Sequence, residues 1–169
     1  AASVTPEDGI GQADVDAAFD DGWNEGVASV TPEDGISQAD VDAAVEGAIM
    51  CKFRNNGQTC VCANRIYVQA GIYEVFSEKL ASAVSKLKVG DGLEEGTALG
   101  PLINTEAINK VQEHITDAKA KGAKVILGGE SSQISGNFIN PTIITNASRD
   151  MAVSIEETFG PLAPLFKFE

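Results

Sequence analysis

Residues 53–65 place a cysteine where a substrate could reach it. This segment reads FRNNGQTCVCANR, and Cys60 lies in a polar, glycine-containing loop between a helical pattern and a strand pattern. The thiolate is the reactive form of cysteine, and a free thiol titrates near about 8.5, so positive charge from Lys52 and Arg54 would favour ionisation. The backbone N–H of Cys60 could donate to an oxyanion. The loop therefore predicts nucleophilic attack by Cys60 on an electrophilic carbon.

The periodicity of the apolar residues predicts the helices that must position this loop. A helical pattern over residues 38–54 leads into the cysteine loop. Ser37 is the predicted N-cap of this helix, and Asp40 completes a weaker form of the capping box. The same spacing predicts a second helix over residues 72–88 and a third that starts at residue 104 or 105 and ends at Gly122.

Strand patterns alternate with these helices. Segments rich in β-branched, aromatic and other apolar residues predict strands over residues 65–69, 124–127, 138–145 and 162–168. The alternation favours an α/β layered domain with a mainly parallel sheet. Pro141 has no N–H to donate to a neighbouring strand, so it predicts that the third strand lies near an edge of the sheet.

Four motifs, in this order along the chain, resemble landmarks of the aldehyde dehydrogenase family, and its succinate-semialdehyde branch most closely. They are ADVDAA at 39–44, FRNNGQTC at 53–60, GPLI at 100–103 and EETFGP at 156–161. The resemblance runs over about residues 39–169. It implies the three-layer, parallel-sheet catalytic domain of that family, in truncated form, behind an N-terminal leader at residues 1–38.

The resemblance also implies roles for individual residues. Cys60 matches the nucleophile, which attacks an aldehyde to give a thiohemiacetal and, after hydride transfer to NAD or NADP, a thioester that water cleaves. Arg54 matches a residue that binds the distal carboxylate of succinate semialdehyde, and a surface or loop-bracing arginine is the alternative interpretation. Cys62 matches a second cysteine that can act as a redox partner of the first, although a small packing residue is an equally good interpretation. Glu157 and Phe159 match the cofactor-binding glutamate and phenylalanine, beside the nicotinamide ribose and ring.

Several parts of the family pattern have no counterpart in this sequence. The general-base glutamate in its Glu-Leu-Gly-Gly segment is absent, as are the dinucleotide-binding domain with its oxyanion asparagine and the last part of the catalytic domain. We therefore expect either a homo-oligomer or a chain that needs the missing cofactor-binding domain from elsewhere. The alternative is a catalytically silent fragment of the family, which acts only in assembly or has no function.

The first 51 residues, which include the leader, differ in charge from the rest of the chain. Residues 1–51 contain twelve acidic residues and no Lys or Arg, and thus hold nearly all of the net charge of −13. Residues 3–18 and 29–44 are near-identical copies that differ only at Gly11 and Ser37. A recent duplication, an artificial insertion and an uncertain sequence assignment all explain this repeat. The acidic charge argues against nucleic acid as a partner.

Other classes of site and location are disfavoured by the sequence. No apolar run reaches the ~18–20 residues that cross a bilayer, so we expect no membrane partner, and no secretory signal opens the chain. An odd number of cysteines, three, does not form a disulfide framework, which favours the cytoplasm or the mitochondrial matrix. We expect no metal site, because the acidic residues at 14–21 do not follow calcium-loop spacing and His114 reads as a surface histidine.

Overall fold

The protein contains a mixed sheet of four strands in the order β1–β4–β3–β2. The structure is a computed structural model that describes residues 35–169. The strands are β1 (Ile66–Gln69), β2 (Lys124–Leu127), β3 (Thr142–Thr145) and β4 (Leu162–Phe168). β4 pairs in parallel with both β1 and β3, whereas β2 runs antiparallel to β3 at the far edge. The predicted α/β class and mainly parallel sheet are confirmed.

Helices cover both faces of this sheet. They are α1 (Gln38–Phe53), α2 (Tyr73–Ser85), α3 (Thr105–Ala120) and the single turn α4 (Ala152–Ile155). Ser37 caps α1 as predicted, because its side chain accepts from the Asp40 N–H while the Asp40 carboxylate accepts from the Ser37 N–H at 2.7 Å. Three of the predicted helices thus occur within a few residues of their predicted bounds.

Alternation along β4 divides the core into two parts. Ala163 and Leu165 pack with α1 and α2 on one face of the sheet, whereas Leu162 and Phe166 pack with α3 on the other. All four side chains are buried, with exposed fractions between 0% and 4%. A sheet with a separate core on each face gives three layers. The three-layer arrangement expected from the resemblance is confirmed.

The predicted edge position of the third strand is wrong. β3 begins at Thr142, one residue after Pro141, and lies between β4 and β2 in the interior of the sheet. The missing N–H of Pro141 therefore falls outside the ladder. A second proline, Pro164, lies within the interior strand β4, where β3 pairs with residues 162–164 and β1 pairs with residues 165–168. Pro164 is thus the last residue of β4 that pairs with β3, directly before the pairing with β1 begins.

The described residues begin within the second repeat copy. The first copy at 3–18, the acidic residues at 14–21 and most of the leader lie outside them. Among residues 35–169, no helix combines the length and the apolar character needed to span a bilayer.

Candidate active site

The cysteine loop begins where α1 ends. After Phe53 the chain forms a short 3-10 turn over Arg54–Gly57, in which Asn55 and Asn56 have φ values of +50° and +56°. Asparagine tolerates this left-handed conformation better than most residues, which is why a pair of them can turn the chain sharply out of the helix. Cys60 follows this turn and is exposed. Its backbone N–H makes no hydrogen bond within residues 35–169, so it is available to a ligand.

Two side chains of the loop fix it to the GPLI segment. The Asn56 Nδ2 donates to the Gly100 carbonyl at 2.7 Å. The Gln58 Oε1 accepts from the Ile103 N–H at 2.9 Å, and the Gln58 Nε2 donates to the Pro101 carbonyl at 3.3 Å. Asn56 is buried, so its bond holds a polar group that would otherwise be costly to bury. Asn56 and Gln58 thus hold the cysteine loop in place against the GPLI segment.

The other side of the loop fits against the EETFGP segment through backbone contact. A Cβ placed on Gly57 would lie 2.2 Å from the Gly160 carbonyl oxygen, a distance that real Cβ atoms do not show. Only glycine permits this approach, and the φ of +74° at Gly57 also favours glycine. Asn64 adds a polar tie, since its Oδ1 accepts from the Thr158 N–H at 2.8 Å. The cysteine loop therefore lies between two segments that are remote in sequence.

Thr158 anchors the EETFGP segment and directs its neighbours outward. Its side chain is 3% exposed and its Oγ1 lies 2.6 Å from the Nδ1 of His114. Its neighbours Glu157 and Phe159 are exposed, Phe159 by 43%. The two residues matched to cofactor binding therefore lie on the surface, in a segment that Thr158 and Gly160 hold against the cysteine loop.

The prediction that His114 lies on the surface is wrong. His114 is 2% exposed on the inner side of α3, because the EETFGP segment covers it. Burial lowers the pKa of His114 below its usual 6.5, and the nearby Lys110 ammonium lowers it further. The Nε2 atom lies 3.6 Å from the Glu156 carboxylate, which pairs with Lys110. The ring is therefore a buried brace for Thr158.

Lys52 does not assist Cys60 as the sequence suggested. Its side chain is fully buried, and its Nζ lies 3.4 Å from the Sγ of Cys62. Burial lowers the pKa of Lys52, although the Cys62 thiol opposes that shift. Cys62 is buried while Cys60 is exposed, and all three cysteines are free. The role of Cys62 as redox partner of Cys60 stays a prediction.

Arg54 projects from the turn that precedes Cys60. Its side chain is exposed and makes no hydrogen bond or ion pair within residues 35–169. The guanidinium is thus available to an anionic ligand, as its predicted role in carboxylate binding requires. Within the same residues, no group of three or more His, Cys, Asp or Glu side chains is arranged to hold a metal ion.

This combination of segments recurs in known proteins. The model of the aldehyde dehydrogenase family matches residues 36–169, which is most of the chain and includes every site residue described above. The chain belongs to the aldehyde dehydrogenase family. The predicted family membership is confirmed, and the match includes the ADVDAA motif at the start of α1.

Individual semialdehyde dehydrogenases are similar to this chain in sequence and in structure. Over 125 residues the chain is 66% identical to a glutarate-semialdehyde dehydrogenase of Pseudomonas putida and 60% identical to an NADP(+) succinate-semialdehyde dehydrogenase of Escherichia coli. Each alignment covers 74% of this chain and 26% of the relative. The crystal structure of succinate-semialdehyde dehydrogenase from Burkholderia pseudomallei superposes with a TM-score of 0.76 at 59% identity, and covers 76% of this chain and 27% of that one. The chain therefore spans about a quarter of the length of these relatives.

Sequence reasoning missed the residues that hold the loops together. His114, Asn64 and Thr158 join segments more than 40 positions apart, and no local pattern marks such pairs. Gly57 and Gly160 did carry a signal, because both are glycines inside the motifs. That signal indicated a need for glycine but not the partner that imposes it.

Proposed function

We propose that this aldehyde dehydrogenase family chain contributes the nucleophile and part of the cofactor site for the oxidation of an aldehyde to its acid. One observation carries the proposal: the exposed Cys60 lies on a loop fixed between the GPLI segment and the outward-facing Glu157 and Phe159. A nucleophile needs both access and a fixed position relative to its reactants. The loop supplies both.

Cys60 performs the covalent chemistry. Its thiolate adds to the aldehyde carbon, and the carbonyl oxygen becomes the oxyanion of a thiohemiacetal, to which the Cys60 N–H donates. Loss of hydride from this adduct gives a thioester on Cys60. Attack by water then releases the carboxylic acid and restores the thiol.

The exposed segment at 157–159 suits a nicotinamide cofactor. Glu157 offers a carboxylate that can accept from ribose hydroxyls, and the half-exposed ring of Phe159 offers an apolar face for a planar ring. When bound, NAD or NADP accepts the hydride. Glu157 would orient the ribose and Phe159 would support the ring of that cofactor, while the buried Thr158 between them holds the segment in place.

The substrate we propose is an aldehyde with a distal carboxylate, with succinate semialdehyde as the first candidate. Arg54 would bind that carboxylate with two parallel hydrogen bonds, the geometry that a guanidinium favours. Two relatives with 60% identity or more act, by their names, on succinate or glutarate semialdehyde, and both compounds carry such a group. The two compounds differ by one methylene, which the position of Arg54 would have to distinguish.

Calorimetric titration of the 169-residue chain with NAD and with NADP tests the cofactor site. Binding that is weakened in the Glu157→Gln variant supports the proposal. No heat with either nucleotide would support the alternative of a silent fragment and would refute cofactor binding by this chain alone. The same titration in the presence of chain from a full-length relative would show whether a second polypeptide completes the site.

The Cys60→Ala variant tests the nucleophile. We expect it to abolish aldehyde oxidation and the hydrolysis of an activated ester, because both need the same sulfur. The Cys51→Ala variant is the matched control, since Cys51 is also exposed but lies within α1. Activity that persists without the Cys60 sulfur would contradict the assigned role.

The Arg54→Ala variant tests the substrate class. A hydrogen bond to a charged group contributes about 1.5–3 kcal/mol, so kcat/KM for succinate semialdehyde should fall by about 10–150-fold. An uncharged aldehyde of similar length should lose little. Arg149→Ala, at another exposed arginine, controls for loss of surface charge. Equal losses on both aldehydes would remove the carboxylate assignment.

We further propose that the cytoplasm or the mitochondrial matrix is the site of action and that the active form is a homo-oligomer or a chain joined by the remaining domains. A reducing compartment suits the three free thiols. Sedimentation of the purified chain gives the oligomeric state directly.

A further inference from the structure

Lys52 and Cys62 form a buried pair where α1 meets the cysteine loop. The Lys52 Nζ lies 3.4 Å from the Cys62 Sγ, and the same sulfur lies 3.4 Å from the Lys52 carbonyl oxygen. Lys52 is 0% exposed and Cys62 is 9% exposed. Lys52 lies in the last turn of α1, and Cys62 lies on the loop that follows the helix, so the contact joins residues ten positions apart.

The surroundings of Lys52 are unusual for a lysine. An ammonium group has three N–H donors, but within residues 35–169 the Lys52 side chain forms a single hydrogen bond, to the Cys62 sulfur. A buried charge with so few partners is costly, and burial accordingly lowers the pKa of Lys52. A larger share of this amine is therefore neutral, and a neutral amine has the lone pair that a nucleophile needs.

We propose that Lys52 and Cys62 are a modification site at which peroxide oxidation joins the two side chains through a sulfur–nitrogen bond. In the first step the Cys62 sulfur attacks hydrogen peroxide. A sulfur–oxygen bond forms, the oxygen–oxygen bond breaks, and hydroxide leaves with the thiol proton as water. The sulfur loses two electrons and becomes a sulfenic acid, while the peroxide is reduced.

In the second step the Lys52 amine attacks that sulfur. The nitrogen–sulfur bond forms, the sulfur–oxygen bond breaks, and hydroxide leaves with an amine proton as a second water. The net reaction converts a thiol, an amine and one peroxide into a sulfenamide and two waters. Since the two atoms are already 3.4 Å apart, only a small side-chain movement is needed. An added thiol reverses the link by attack on the sulfur.

The other two cysteines do not share this setting. Cys51 and Cys60 are exposed, and neither sulfur forms a hydrogen bond with an amine within residues 35–169. Their sulfenic acids are open to further oxidation or to condensation with another thiol. Cys62 is thus the cysteine whose oxidation the structure directs to nitrogen. The inference is independent of the proposed dehydrogenase activity.

The experiment uses the chain with Cys51→Ser and Cys60→Ser, so that no disulfide can form within it. Treatment with one equivalent of hydrogen peroxide should lower the intact mass by about 2 Da, and dithiothreitol should restore it. Cleavage after arginine then gives the peptide 55–65, which contains Cys62 and would remain tethered to the peptide that ends at Arg54. Fragmentation should locate the link at Lys52.

The Lys52→Arg variant in the same background is the control. A guanidinium stays protonated, so we expect at least about tenfold less of the lighter species, with gain of oxygen at Cys62 instead. If this buried substitution prevents folding, peptide mapping of the chain that retains Lys52 decides the matter alone. A link to any other lysine, or oxygen gain without mass loss when Lys52 is present, overturns the proposal.

Discussion

The close approach of Gly57 to the backbone of Gly160 predicts that the Gly57→Ala substitution is severely destabilising. The added Cβ would lie 2.2 Å from the Gly160 oxygen and 2.6 Å from the Gly160 carbon. Ordinary contact begins near 3.4 Å, so the two segments would have to separate by roughly 1 Å. Backbone atoms on both sides leave no flexible side chain to yield.

Two effects add up in this variant. The φ of +74° at Gly57 costs a residue with a Cβ about 1–2 kcal/mol, and overpacking costs about 1–3 kcal/mol more. We therefore expect the free energy of unfolding to fall by about 2–5 kcal/mol. The displacement also moves Glu157 and Phe159 relative to Cys60, and a shift of about 1 Å can reduce catalysis by about a hundredfold.

Gly96→Ala is a matched control for this substitution. Gly96 has the same φ of +74°, but a Cβ there meets nothing within 4 Å. Urea unfolding should therefore show a loss of only about 1–2 kcal/mol for Gly96→Ala, from the backbone conformation alone. The difference between the two variants measures the clash. Equal losses would refute the idea that contact with Gly160 fixes the cysteine loop.

Three further predictions concern stability. Burial lowers the pKa of His114 in the folded chain, so the unfolded state binds a proton at a higher pH than the folded state does. The free energy of unfolding should therefore decline as pH falls from about 6.5 through the lower folded-state pKa. Urea unfolding at pH 7.5 and 5.5 should show a smaller decline for His114→Gln than for the parent chain. Tyr73→Phe should cost about 1–3 kcal/mol in thermal unfolding, because the buried hydroxyl donates to the Leu165 carbonyl and accepts from the Asn146 N–H; an unchanged midpoint would contradict this. Ser37→Ala should lower the free energy of unfolding by about 1 kcal/mol, because the helix loses its cap. Ser37→Asp keeps a capping side chain, so a loss of stability equal to that of Ser37→Ala would contradict the role of the cap.

The elements near the site could be predicted because their signals are local. The apolar spacing of α1 and its cap at Ser37 depend on residues within one or two turns of each other. The motif around Cys60 likewise predicted an exposed cysteine loop, and Cys60 is exposed. The position of β3 could not be predicted in this way, because the local effect of Pro141 depends on whether the ladder begins before or after it.

Contiguous stretches of residues encode the family, the alternating elements and the exposed thiol on the loop after α1, so each of these could be predicted. Two contacts became evident only in the folded chain: Lys52 meets Cys62 instead of Cys60, and His114 is a buried brace beneath Thr158. Those outcomes depend on which segments meet across the sheet and the loops. The free energy of such a meeting comes from burial and hydrogen bonds between residues far apart in the chain, and short-range patterns do not record it.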